Sequence, residues 1–262
     1  MNKASDSQSI FSRADFVRNH LKYRRPPQSA LQAYLSLIAA SKGPGCRMLD
    51  IGAGTGHFSI PVAEMFPTWE IVALEPSVRM ARCIAARANR LTVKNLRVEN
   101  TTIERFVDSN QFNVILLSEV VHLFEDIVGL VERLSSMLIK GGLIAFRTST
   151  HRQLAERQWY TYFPSARLLD MQRHPSLDYL EAALRQKSMF TVRMEIDESR
   201  PIRSQRFIEM FKSKVYSTLN LISTAEFSRG LRNIERDALQ RDFMGFDYKM
   251  TLLLAFKLGA ES

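Results

Sequence analysis

The densest chemistry in this 262-residue chain lies in the run Met48-Leu49-Asp50-Ile51-Gly52-Ala53-Gly54-Thr55-Gly56. An apolar stretch ends on an acid, and glycine then takes every second position. Three glycines in five residues bare the backbone of one tight turn and permit angles that other residues resist. A ligand can lie directly against such a loop. Dinucleotide loops read G-x-G-x-x-G, but here His57 stands where the third glycine belongs, and Gly56 comes early. A phosphate loop fits no better, because no Lys-Ser/Thr pair follows. Asp50 would repel a pyrophosphate, whereas an ammonium or sulfonium would be welcome. The spacing points to a cationic, nucleotide-like ligand; the alternative is a tight turn that binds nothing.

A second acid stands at a matching place. Glu70-Ile71-Val72-Ala73-Leu74-Glu75 reads as a short buried strand, and Glu75 lies nineteen residues past Gly56. A carboxylate there can accept both hydroxyls of a ribose. Alone, it reads equally well as a solvated strand end. Further apolar strands are expected at 96–98, 112–117 and 143–146. An amphipathic helix is expected over 125–138, stopped by Ile139-Lys140-Gly141-Gly142. Strand–helix alternation over 46–148 argues for a parallel sheet covered on both faces. Such sheets bind ligands beyond the carboxyl ends of their strands. Asp50, Glu75, the segment 100–103 and the segment 118–122 all fall there.

The D-x-G-x-G-x-G run resembles motif I of the class I S-adenosylmethionine-dependent methyltransferases. Ser118 to Phe124 is similar to the segment after strand 4 in their small-molecule members, and Leu138-Ile139-Lys140-Gly141-Gly142 to their L-x-P-G-G turn, with Lys140 replacing proline. Tyr23-Arg24-Arg25-Pro26-Pro27 resembles the Y-x-x-R-P-x-Y-P segment before motif I, without its terminal Tyr-Pro. The resemblance is to enzymes of the trans-aconitate and ubiquinone-biosynthesis type. It implies a doubly wound α/β, Rossmann-like sheet of seven strands, with strands 6 and 7 an antiparallel edge pair. It also implies S-adenosylmethionine as cofactor, held by Asp50, Gly52, Ala53, Gly54, Glu75 and Ser77. Thr102, Ile103, Ser118 and Glu119 join them, and Tyr23 and Arg25 fold over cofactor and substrate. His122 is the candidate general base, or else a pocket-lining or helix-capping histidine.

The remaining elements must supply a substrate pocket. Strands expected at 190–196 and 248–256 are joined by a link far longer than a hairpin needs. It carries helical patterns over 203–216 and 224–239. This insert, 198–246, is read as a lid on a methyltransferase domain spanning 46–262. Residues 1–45 form an N-terminal cap, with helices at about 10–21 and 28–40. Trp159 and Tyr160 belong to an aromatic cluster that either contacts substrate or forms plain lid core. Arg203 and Arg206 either bind a substrate carboxylate or lie on a solvated helix face.

Composition bounds the function. With 45% apolar residues, the chain can bury a full core as one domain. The net charge of +9 is spread evenly: 18 basic and 13 acidic residues up to position 150, and 18 and 14 beyond it. Charges more than about 8 Å apart are largely screened, so this is a weak nucleic-acid signal, compatible with an anionic small substrate. The segment after strand 4 also lacks the N/D-P-P-Y/W pattern of many DNA amino-methyltransferases. Cys46 and Cys83 suggest neither a disulfide scaffold nor a metal site and read as reduced cytosolic thiols. No run reaches membrane-span length, and the polar N-terminus lacks a signal-peptide core; Ser5 to Ser9 is read as a frayed tail. The expectation is a cytoplasmic small-molecule methyltransferase. An RNA-modifying enzyme and a non-catalytic cofactor-fold protein stay open as alternatives. The acceptor atom and the oligomeric state are not legible.

Overall fold

The computed structural model describes residues 9–40 and 42–258. Of the tail read at Ser5 to Ser9, all but Ser9 lies outside the described residues. The strands are β1 (Arg47–Ile51), β2 (Glu70–Leu74), β3 (Leu96–Glu99), β4 (Phe112–Ser118), β5 (Leu138–Thr148), β6 (Met189–Asp197), β7 (Arg200–Arg203), β8 (Phe243–Phe246) and β9 (Lys249–Lys257). The helices are α1 (Ala14–Tyr23), α2 (Gln28–Ala39), α3 (Ser59–Met65), α4 (Val78–Arg90), α5 (Ile127–Met137), α6 (His151–Glu156), α7 (Pro164–Arg173), α8 (Leu177–Gln186), α9 (Ser204–Lys212) and α10 (Thr224–Ala238).

One seven-stranded sheet runs in the order β3-β2-β1-β4-β5-β9-β6. β1 to β5 are parallel, and β9 is antiparallel between β5 and β6. Chain order reverses between β1 and β4, which opens a crevice beyond their carboxyl ends. Both strands are buried along most of their length, hence their near-continuous apolar runs. Leu49 and Ile51 face one core with Leu130, Leu134 and Leu180, while Met48 faces another with Leu31 and Leu35 of α2.

Two expectations need correction. β7 and β8 form a separate antiparallel ribbon, so the sixth and seventh strands in chain order are not an edge pair. The segments read as the last two strands, 190–196 and 248–256, do form an antiparallel pair, β6 with β9, and β6 is the edge of the sheet. β7 has four residues with Pro201 among them, and a proline removes a ladder donor. The Lys140-Gly141-Gly142 turn also lies inside a strand. β5 starts at Leu138, directly after α5, and its pairing jumps from Phe112↔Leu138 to Val114↔Leu143. Gly141, at φ 72°, absorbs that bulge where a side chain would be strained.

A third core lies over the carboxyl edge of the sheet. Trp159 and Phe163 pack there with Phe207 and Phe211 of α9, Tyr216, and Phe246 of β8. Helix α10 closes it at Gly230, where a Cβ would stand 2.3 Å from the Tyr162 carbonyl oxygen and 2.5 Å from the Phe163 ring. Gly230→Ala is therefore expected to cost about 1–3 kcal/mol through overpacking. Thermal unfolding checks it; an unchanged midpoint would show that α10 does not need this approach.

Candidate active site

The glycine loop folds as its composition demands. Gly52, Gly54 and Gly56 take φ of 66°, 60° and 77°. At Gly52 any side chain would also strike Val120, whose Cγ2 lies 2.6 Å from the position of a Cβ. The loop caps Asp50, 2% exposed, which accepts a hydrogen bond from Ser59 Oγ. It meets Glu75, 4% exposed, which accepts from the backbone N–H of Gly54 and of Ser77, both at 2.8 Å. Burial pushes Asp50 up to about 6 and Glu75 up to about 7, against those hydrogen bonds. Neither acid has an ion-pair partner among the described residues. Helix α1 closes over the loop: His20 Nδ1 lies 3.0 Å from Thr55 Oγ1, and its ring stacks on His57 at 5.6 Å.

Across β4 the cavity changes character. Glu119 follows the strand with φ 53°, an unusual angle for a side chain with a Cβ. It pairs with Arg24, pairs with Arg147 at 3.2 Å, and accepts from Tyr248 Oη at 2.8 Å. Burial works to raise its pKa, but Arg24, Arg147 and Arg157 outweigh that and hold it well below the usual carboxylate range. Arg147 also binds Glu198 at 2.6 Å, and Glu198 accepts from Tyr34 Oη at 2.7 Å. Beyond this hub, the His122 ring stacks on His174 at 4.4 Å. Burial, with His174 and Arg173 adding to it, holds His122 well below its ordinary value and so neutral. Asp170 accepts from Tyr160 Oη and Thr218 Oγ1, each at 2.6 Å.

Most of these groups line one cavity of about 1190 Å³, its open mouth included. It brings together Asp50, Gly52, Ala53, Gly54, Glu75, Ser118, Glu119 and His122 from the sequence expectations. The others lie elsewhere. Ser77 caps α4, its oxygen accepting from Met80 N at 3.4 Å and donating to the Phe11 carbonyl at 2.7 Å. Thr102 sits in the turn after β3, accepting at its carbonyl from Phe106 N, and Ile103 packs in the sheet core. Trp159 and Tyr160 are buried in the third core, Trp159 stacked on Tyr216. Arg203 is exposed over the Phe243 ring. Tyr23, Arg25 and Arg206 line a second, shallow depression outside the cavity. There Tyr23 donates to Glu209 at 3.1 Å, Arg206 to the Lys22 carbonyl at 3.2 Å, and Arg25 to Gln28 at 3.0 Å, so the first two bonds tie α1 to α9.

The sequence reading missed His20, Arg24, Arg147, Arg157, Asp170, His174 and Tyr248, all on the cavity wall. For Arg147 a signal existed: a charge ending the apolar run Leu143-Ile144-Ala145-Phe146, the same pattern that marked Asp50 and Glu75.

The geometry suits a cationic, ribose-bearing cofactor: a loop that side chains would fill, flanked by two buried carboxylates with no cation of their own. Comparison with known proteins agrees. Residues 49–144 match the family described as "Methyltransferase domain". A ribosomal RNA small subunit methyltransferase G of Cellvibrio japonicus is 29% identical over 40% of this chain and 47% of its own. A malonyl-[acyl-carrier protein] O-methyltransferase of Methylococcus capsulatus is 31% identical over 43% and 41%. The chain thus spans about half or less of the length of these curated relatives. Among solved structures, the plantazolicin methyltransferase BpumL, in complex with a pentazolic desmethylPZN analog and S-adenosylhomocysteine, superposes with a TM-score of 0.63 at 19% identity, covering 98% of this chain and 96% of that one. That likeness speaks for the fold alone. The segment matched at 49–144, the motif and the sheet order all resemble the methyltransferase domain of the class I S-adenosylmethionine-dependent enzymes.

Proposed function

We propose that this protein moves a methyl group from S-adenosylmethionine to a small, anionic acceptor by in-line displacement in a lidded cavity. The observation that carries the reading is the continuity of the Asp50–Gly54–Glu75 cradle with the chamber beyond Glu119. When bound, the cofactor supplies an already activated methyl group on a sulfonium. The chain's tasks are then alignment and exclusion of water. Alignment alone can supply about 7–11 kcal/mol. Segment 1–45 acts as cap and 198–246 as lid over the domain at 46–262, a division supported by the bonds between α1 and α9. Glu75 takes the ribose hydroxyls, and Glu119 orders the floor between cofactor and acceptor. A cytoplasmic location fits the two free cysteines. No helix among the described residues is long and apolar enough to cross a membrane.

His122 is the proton acceptor in this reading. Its imidazole is neutral, its Nδ1 is buried with no partner, and its ring is fixed by the stack on His174. His122→Phe keeps a ring in the stack and is expected to lower kcat by about 10²–10⁴-fold with little change in cofactor affinity. Unchanged turnover would remove His122 from that role. The function itself is tested by supplying methyl-labelled S-adenosylmethionine with a metabolite extract and, separately, total RNA. Label in small molecules supports the reading. Label in RNA alone would favour a nucleic-acid substrate, and no transfer to either would favour a binding protein.

A further inference from the structure

We propose that Arg157 is the anchor for a carboxylate carried by the acceptor molecule. The inference rests on the methyl-transfer reading of the cavity and adds the substrate class. Arg157 is 5% exposed, yet it lines the cavity. Its Nη2 donates to Ser149 Oγ at 2.5 Å and approaches the Met250 sulfur at 3.6 Å, while Nε is buried with no partner. Among the described residues no carboxylate forms an ion pair with it. Ser149, the Met250 sulfur and the face of the Tyr248 ring repay part of the hydration this guanidinium loses, but its Nε and its missing carboxylate partner leave room for a ligand to complete the site.

The neighbouring acids are already engaged. Glu119 is held by Arg24, Arg147 and Tyr248, and Asp170 by the hydroxyls of Tyr160 and Thr218. Burial disfavours the charge on Arg157, but Tyr248 and Tyr160, with Glu119 and Asp170 adding less, outweigh it, so the group stays a cation that can receive an anion. A planar fork of donors matches the two oxygens of a carboxylate. The place also separates this anchor from the cofactor. The glycine loop follows β1, whereas Arg157 bonds Ser149 just beyond β5, two strands along the sheet. The guanidinium lies 4.0 Å from the Tyr248 ring centre, and Val215, Tyr216 and Leu123 also line the cavity, so there is apolar wall for the body attached to the carboxylate.

The test follows thermal unfolding of the full chain with S-adenosylhomocysteine at saturation. Phenylacetate and hexanoate are titrated against phenylacetamide and hexanamide, which keep shape and lose charge. The acids are expected to raise the midpoint and the amides are not. In Arg157→Gln the apparent affinity for the acids should fall about 10- to 100-fold, while the shift caused by S-adenosylhomocysteine stays that of the wild type. Equal response to acid and amide, no response to either acid, or an Arg157→Gln protein that binds the acids like wild type would each overturn the proposal. Should the variant fail to fold, the wild-type comparison of acid with amide decides alone. A missing S-adenosylhomocysteine shift strikes the cofactor reading instead, and the acid–amide pairs are then compared without it.

Discussion

S-Adenosylhomocysteine affinity is expected to fall about tenfold between pH 8 and pH 6, and this loss should vanish in Glu75→Gln. Burial pushes the Glu75 carboxyl up to about 7. Above that value the carboxylate can accept both ribose hydroxyls; below it the group is protonated and must lose a proton to do so. Affinity is therefore full above pH 7 and declines as pH falls through 7, by the ordinary competition between proton and ligand. The other groups at the loop leave this window clear. His57 is lowered to about 4 and His20 is also well below its ordinary value, both chiefly by burial, so both stay neutral throughout. Asp50, at about 6, enters only at the lower end. At pH 8, Glu75→Gln should itself bind about 10- to 100-fold more weakly, because one charge-assisted acceptor is lost and one of the two N–H groups it served is left without a partner. Calorimetry across the pH range with both proteins checks this. A pH-independent wild type, or a variant of equal affinity, would reject the ribose role of Glu75.

Glu119→Ala is expected to destabilise the fold by about 3–5 kcal/mol, the cost of leaving buried charges without their partner. Among the described residues, Arg24 loses its one carboxylate, and Arg147 keeps only Glu198. The Tyr248 hydroxyl loses its acceptor as well. The left-handed backbone at this position, worth roughly 1–3 kcal/mol of strain, would persist in alanine and be relieved in glycine. Glu119→Gly should thus be the less damaged of the two despite lacking the same carboxylate. For a chain of this size the alanine variant should melt on the order of 10 °C lower. Denaturant and thermal unfolding decide it: a loss below 1 kcal/mol would mean that the arginines find other partners, and the hub would not be what joins β4, β5 and α1.

The cofactor side of the site was legible because its causes are local. A turn that needs positive φ at three positions needs glycine at them, and a strand and helix of ordinary length place Glu75 beside that turn. The acceptor side was not, because its residues converge from separate elements: Arg24 after α1, Arg147 in β5, Arg157 after α6, Asp170 in α7 and Tyr248 before β9. Choosing among Tyr23, Arg24 and Arg25 required knowing that α1 ends at Tyr23, and a shift of one residue at a helix end changes which side chain points inward. Thr102 and Ile103 lie off the cavity wall for a related reason, since the loop after β3 turns Ile103 into the core. Trp159 and Tyr160 are buried in the third core, and Arg203 and Arg206 are exposed outside the cavity. The insert's helices were visible in apolar spacing, but its ribbon was not, because four-residue strands carry almost no pattern.

Everything proposed for the cavity depends on its cofactor. Isothermal titration of the wild-type chain at pH 8 with S-adenosylhomocysteine measures that dependence most directly. Saturable binding of one molecule per chain at micromolar concentration is the predicted result; no binding at high micromolar concentration would contradict the account.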